Sequence, residues 1–171
     1  MGITIHYEGR LKDEASFESV LAKTKQFCNE HSWSYEPINN LHVTLKRVRN
    51  EKDWDYEGSV KGIAVQPHEN SEPFRLEFDK DLYIQEYTKT QFAPINIHIE
   101  LVQLLRSLQP HFECLEIVDE GEFFETDDQD TLANHLNRCF ELLDEYLVQE
   151  DKYYGPIRLE SKRILDVMSR D

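Results

Sequence analysis

Cysteine, glycine and proline are scarce in this 171-residue sequence, which has three, six and six of them. So little glycine and proline excludes a collagen-like or low-complexity chain. The cysteines, Cys28, Cys114 and Cys139, are odd in number and far apart, which indicates reduced thiols rather than a disulfide framework. No apolar run approaches the ~20 residues of a membrane-spanning helix, and the first residues lack a signal-peptide pattern. We therefore expect a cytoplasmic protein.

Positive charge is scarce as well. Nineteen lysine and arginine residues stand against 34 aspartate and glutamate residues, so the formal net charge is −15. Nucleic-acid binding depends on lysine and arginine side chains that displace counterions from phosphates. Anionic membrane surfaces attract the same basic residues. We therefore expect neither nucleic acid nor membrane as a partner.

The sequence does contain enough apolar material for a core. Hydrophobic residues make up 39% of the chain, including nine Phe, eight Tyr and two Trp residues, and this content argues against disorder. The length suits one domain. We expect residues 1–171 to form it, with room for a C-terminal helical extension over about residues 156–169.

Negative charge is concentrated in residues 112–151, which hold fourteen acidic residues and one arginine, Arg138, and so carry −13. An acidic surface accelerates encounter with a basic protein. The alternative is a solvated face that keeps the protein in solution. The run lacks the spacing of a calcium loop, so we expect no metal and no cofactor. The candidate binding residues are Asp119, Glu120, Glu122, Glu125, Asp127 and Asp128.

Hydrophobic periodicity predicts the first elements. Apolar residues alternate over residues 3–8, as in a strand with one buried face, and recur at helical spacing over residues 17–28. A strand-rich middle follows, in which residues 37–40 are predicted to turn between two short strands. Residues 74–79 show the clearest alternation in the chain.

The second half is predicted to be richer in helix. Pro94 opens a helix at the position where a missing N–H costs nothing. A strand follows at residues 115–118, and residues 122–125 are predicted to pair back on it. Thr126 and Gln129 form a capping box that predicts another helix. Because consecutive strands are joined by short turns, we predict an α+β fold, with a mostly antiparallel sheet of about six or seven strands and helices packed on one face.

One short motif carries possible chemistry. His42 and Thr44 lie two residues apart on a predicted strand, so their side chains point to the same side. The stretch 41–45 resembles one half of the motif of the two-histidine phosphoesterases, which use His-x-Thr twice. The resemblance implies metal-independent hydrolysis of a cyclic phosphate, with Thr44 holding the phosphate and two imidazoles acting as acid and base.

A second imidazole has two candidates. His6 shares a strand face with Thr4 in the reverse order, Thr-x-His. His98 lies within an apolar helical arc, where a histidine is typically a packed residue with a hydrogen-bond partner. The candidate catalytic residues are therefore His42, Thr44, His6 and His98.

Three functional hypotheses follow. The leading one is a small acidic protein-binding module that neutralises or regulates a basic partner, as an immunity protein does. The alternative is the phosphoesterase, so the sequence leaves enzymatic activity open and leans against it. The third is a small-ligand pocket between sheet and helices. The sequence does not fix the oligomeric state.

Overall fold

The fold is built on two three-stranded antiparallel sheets, with strand orders β7-β1-β8 and β2-β5-β6. The structure is a computed structural model and describes residues 2–149 and 152–170. Its elements are β1 (Thr4–Leu11), α1 (Glu14–His31), β2 (Ser34–Leu45), β3 (Val48–Arg49), β4 (Lys52–Asp53), β5 (Tyr56–Gln66), β6 (Phe74–Phe78), β7 (Tyr83–Lys89), α2 (Ile95–Leu108), a 3₁₀ turn (Gln109–His111), β8 (Phe112–Asp119), α3 (Phe123–Thr126), α4 (Gln129–Gln149), β9 (Tyr153–Tyr154), β10 (Ile157–Arg158), β11 (Ile164–Leu165) and β12 (Met168–Ser169).

The alternating pattern of β1 sorts its side chains onto two faces. Ile5 and Tyr7 are buried in the core, whereas His6 points outward. Helix α1 begins where the Asp13 side chain accepts a hydrogen bond from the Ser16 backbone N–H, which satisfies one of the unpaired donors of the first turn.

Helices α1 and α2 share one hydrophobic core with the inner faces of β1, β6 and β7. Val20, Leu101 and Leu105 contribute from the helices, and Phe78 and Ile84 contribute from the strands; all are at most 1% exposed. The predicted α+β fold is confirmed. Among the described residues, no helix is both long and apolar enough to cross a membrane.

The predicted turn at residues 37–40 is wrong. The chain runs through it as one strand, β2, with a register irregularity between Asn40 and Val43. Pro37 is tolerated there because β2 lies at the edge of its sheet, where a missing backbone donor breaks no ladder.

The predicted helix over residues 156–169 is also wrong. The segment forms the short strands β10, β11 and β12 instead. The Glu72 carboxylate accepts the Ile164 N–H, and the Lys89 ammonium donates to the Ile164 carbonyl oxygen. These distant contacts engage the backbone groups that a helix would use, so tertiary context overrides the weak local propensity.

Two further local predictions need correction. Residues 122–125 do not pair back on β8, because Phe123–Thr126 form the short helix α3. Helix α4 begins two residues later than the capping box indicated. Asp128, and not Thr126, caps it by accepting the Asp130 N–H and the Thr131 hydroxyl.

The core contains one polar atom that allows a stability test. Thr24 in α1 is fully buried, and its Oγ1 has no hydrogen-bond partner among the described residues. We expect Thr24→Val to raise the free energy of unfolding by about 1 kcal/mol, because valine nearly matches the shape and removes an unpaired buried hydroxyl. Urea denaturation measures this. The control, Thr24→Ala, should lower stability by leaving a cavity; a destabilised valine variant contradicts the prediction.

Candidate functional site

An open cleft of about 730 Å³ lies between the two sheets. It is lined by His6 and Glu8 from β1 and by Tyr87 from β7. Thr44, near the end of β2, and Arg163 from the C-terminal segment also line it. Two of the predicted catalytic residues, His6 and Thr44, therefore share this cleft.

His6 places an imidazole in the cleft. Its side chain is about half exposed, and its ring lies 5.7 Å from the ring of Tyr87. Nε2 of His6 is 3.9 Å from Oε1 of Glu120. Burial alone would raise the pKa of the Glu120 carboxyl, but the neighbouring His6 imidazole and the hydrogen bond from the Thr4 backbone N–H outweigh it and lower the pKa. Glu120 is thus held as a carboxylate beside the imidazole.

His42 and His98 do not join His6. His42 is exposed and is not among the residues that line the cleft. His98 is 1% exposed, and its ring nitrogens lie 2.8 Å from Thr90 Oγ1 and 3.0 Å from Asp119 Oδ2. The cleft therefore holds one imidazole among the described residues, whereas the phosphoesterase motif implies two.

Asp119 has an interior role as well. Besides His98, its carboxylate accepts the backbone N–H groups of Gly121 and Phe124. Burial would raise the pKa of Asp119, but these hydrogen bonds and the neighbouring imidazole lower it below its usual value. The residue fastens the end of β8 to α2 and to the turn before α3. It is 5% exposed and does not belong to the surface.

The first two cations lining the cleft are already paired. Lys46 forms an ion pair with Asp55. Arg47 is 3% exposed and donates to Asp79 at 2.7 Å. Its guanidinium also lies within 6 Å of three aromatic rings, those of Trp54, Tyr56 and Tyr83. The charge of Arg47 is thus balanced in the interior, whereas that of Lys46 is balanced by Asp55 at the surface.

The third cation anchors the C-terminal segment. Arg163 donates to Glu72 at 3.1 Å and to Glu86 at 2.8 Å, and its guanidinium lies 3.8 Å from the centre of the Tyr87 ring. Burial raises the pKa of Glu86, and the positive charge of Arg163 opposes that rise. An anionic ligand entering the cleft would have to compete with these carboxylates for Arg163.

The remaining predicted carboxylates are exposed. Glu122 lies 2.9 Å from the His135 ring, and Asp127 lies 2.6 Å from the Arg106 guanidinium. Asp128 caps α4. Together with their neighbours they form what we call the acidic surface. It comprises the exposed acids of β8, α3, the first turn of α4 and the connections between them: Glu113, Glu116, Glu120, Glu122, Glu125, Asp127, Asp128 and Asp130.

Sequence reasoning missed the anchor of the C-terminal segment. Glu72 is 1% exposed and meets Arg163, 91 residues later. In the sequence, Glu72 is a carboxylate directly before Pro73, in a loop that precedes a buried strand. This pattern does not indicate which distant residue it would contact.

Comparison with protein-family models, with curated proteins and with solved structures finds no match for this chain. Within residues 2–149 and 152–170, no group of three or more histidine, cysteine, aspartate or glutamate side chains is placed to hold a metal ion. The geometry of the acidic surface and of the cleft therefore carries the functional argument.

The buried pair of Asp119 and His98 predicts how the free energy of unfolding changes at acidic pH. Because the folded-state pKa of Asp119 is lowered, its stabilisation is complete above an unfolded pKa of about 3.9 and is lost as the pH falls through the folded value. We expect Asp119→Asn to cost about 2 kcal/mol at neutral pH, and less at about pH 3, where wild type begins to lose the same contribution.

Urea titrations at the two pH values measure this difference. Asp130→Asn, an exposed change of the same chemistry, is the control and should stay within about 0.5 kcal/mol of wild type. An Asp119→Asn penalty that is equal at both pH values would show that the carboxylate charge is not the stabilising feature.

Proposed function

We propose that the protein acts by binding a basic partner protein through the acidic surface. The observation that carries the proposal is the exposure of eight carboxylates along β8, α3, the first turn of α4 and the short connections between them. Within the described residues, the ion pairs of these carboxylates involve one arginine, Arg106, and two histidines, His6 and His135. Most of the negative charge of this surface is therefore not neutralised within the protein.

Physical chemistry supports a partner of opposite charge. Like charges close together on a surface repel each other and destabilise the compact state. A basic partner removes that repulsion and is steered toward the surface at a rate that falls with salt. An acidic protein that covers a basic groove in this way can neutralise the partner, as an immunity protein does.

The test compares two variants with the same net charge. In the surface variant, Glu113, Glu122 and Glu125 become Gln and Asp130 becomes Asn. In the matched control, four exposed acids from other parts of the molecule become Gln: Glu18, Glu30, Glu51 and Glu57. Wild type and both variants are used to capture partners from a lysate of the source cells at about 150 mM salt, where screening beyond about 8 Å removes long-range attraction.

A captured protein counts as the partner when it is basic and forms a complex of fixed stoichiometry with the purified chain. We expect the surface variant to associate with the purified partner at least about tenfold more slowly at about 10 mM salt, where electrostatic attraction extends to about 30 Å, because charges at an interface rim act mainly on the association rate. The control should bind like wild type. Equal losses in both variants would show that net charge alone matters, and that result contradicts the proposal.

Hydrolysis of a cyclic phosphate ester is a second candidate, favoured by one observation: His6 and Thr44 share the cleft. The paired cations and the single imidazole weigh against it. We therefore expect wild type to release no more phosphate monoester from a cyclic nucleotide than buffer does, with and without EDTA. Metal-independent turnover that disappears in His6→Ala, with folding retained by circular dichroism, would replace the binding proposal with this one.

A further inference from the structure

Strand β8 leaves one of its two edges unpaired. It lies at the end of the β7-β1-β8 sheet and is hydrogen-bonded to β1, and no strand in the described part of the chain pairs with its other side. An unpaired edge exposes a row of backbone N–H and C=O groups to which a further strand can add. We call this row the free edge of β8.

The register shows which residues form the free edge. At the end of the paired segment, the Glu120 N–H donates to the Thr4 carbonyl oxygen at 3.1 Å. Because bonded and non-bonded positions alternate along an antiparallel ladder, the even-numbered residues of β8 from 114 to 118 also bond to β1. Leu115 and Ile117 therefore direct their backbone N–H and C=O groups away from β1. These groups have no hydrogen-bond partner within residues 2–149 and 152–170.

The side chains of β8 alternate between two environments. Leu115 and Ile117 are partly buried and pack against the hydrophobic core. Cys114, Glu116 and Val118 are exposed on the outer face of the sheet. An added strand continues both surfaces when it places apolar side chains beside Leu115 and Ile117 and a side chain of opposite charge beside Glu116.

The middle of β8 lacks two features that commonly protect a sheet edge, which are proline and a local irregularity. The edge strand β2 has both, Pro37 and the register irregularity after Asn40. β8 contains neither proline nor lysine, and its own irregularity lies before Cys114. The edge at Leu115 and Ile117 is therefore regular and open to pairing.

The charge of Glu116 discriminates between possible added strands. A second copy that bonded to both Leu115 and Ile117 in antiparallel order would place Glu116 directly opposite its own counterpart, and like charges in that position destabilise a sheet. A basic strand places a lysine or arginine there instead. No lysine or arginine occurs between Arg106 and Arg138, so this part of the chain supplies no competing cation.

We propose that an extended basic segment of the partner adds to the free edge of β8 as a fourth strand of the sheet. Its backbone groups bond to Leu115 and Ile117, and a basic side chain lies opposite Glu116. Antiparallel order is favoured because its ladder is slightly more stable per residue. The inference rests on the proposed function, since it takes the partner to be basic, and adds how the backbone of the partner is held.

The test uses blocked, fluorescein-labelled peptides of the sequence Arg-Val-Arg-Val-Arg-Val-Arg. In the proposed pairing the arginine side chains lie on the outer face, the valine N–H groups donate to β8 and the arginine N–H groups point to solvent. One derivative carries N-methyl groups on the three valines. The matched control carries them on three of the arginines, so charge and methyl content are equal. Fluorescence anisotropy measures binding to the wild-type protein at about 100 mM salt, where charges are screened beyond about 10 Å.

We expect the N-methylvaline peptide to bind at least about tenfold more weakly than the parent peptide, and the N-methylarginine peptide within about threefold of it, because only the first loses the donors to the Leu115 and Ile117 carbonyl oxygens. Glu116→Gln should weaken binding of the parent peptide about threefold, as expected for an exposed charge pair. Glu18→Gln, an exposed change of the same charge on α1, should leave it unchanged.

Amide hydrogen exchange followed by NMR gives a second readout. In the free protein, Leu115 and Ile117 should exchange faster than Glu116 and Val118, whose N–H groups bond to β1. The parent peptide at millimolar concentration should slow exchange at Leu115 and Ile117, and the N-methylvaline peptide should not. Unchanged exchange at these two amides in the presence of the parent peptide overturns the inference.

The outcomes separate this inference from the proposed function. Equal affinity of the two methylated peptides would show that charge alone attracts them, which overturns strand addition and leaves the acidic surface as a general binding face. The proposed function fails when the four-site surface variant associates with the purified partner as wild type does, whatever the peptides show.

Discussion

The alternation of side chains along the central strand β1 determines which residues enter the core and which face the cleft. β1 is hydrogen-bonded to β7 on one side and to β8 on the other, so its register fixes what lies on both faces of the sheet. Ile5 and Tyr7 face the core, and His6 and Glu8 consequently face the cleft. A slip by one residue would exchange the two sets, so the buried core and the charged outer face are determined together.

Two of the arginines use their positive charge within the fold. Arg47 pairs with Asp79 in an aromatic enclosure, and Arg163 joins Glu72 and Glu86 to hold the C-terminal segment. Buried cations must be paired, because an unpaired charge away from water is costly. With only 19 basic residues against 34 acidic ones, these two arginines do not balance the exposed carboxylates.

Hydrophobic periodicity within a segment predicted the helices and strands that bury one face. The alternation of β1 and β6 and the apolar periodicity of α1 and α2 each reflect one buried face, and the structure has these elements near the predicted positions. The C-terminal segment failed because its conformation depends on Glu72 and Lys89, which lie far away in sequence. The candidate site residues show the same difference between local and tertiary information. The apolar arc around His98 indicated that this residue is buried. The placement of His6 and Thr44 in one cleft depends on how the two sheets pack, which no local pattern predicts.

The acidic run between β8 and α4 shows why sequence charge density is a poor guide to surface charge. Asp119 is interior and ties β8 to His98, and Asp128 caps α4, so these two carboxylates stabilise the fold through hydrogen bonds. Others in the run, such as Glu116 and Glu125, are exposed, and neither forms an ion pair within the described residues. Carboxylates of that kind contribute mutual repulsion to the isolated protein. The stabilising counterpart they lack is positive charge, and the basic groups lining the neighbouring cleft are already engaged.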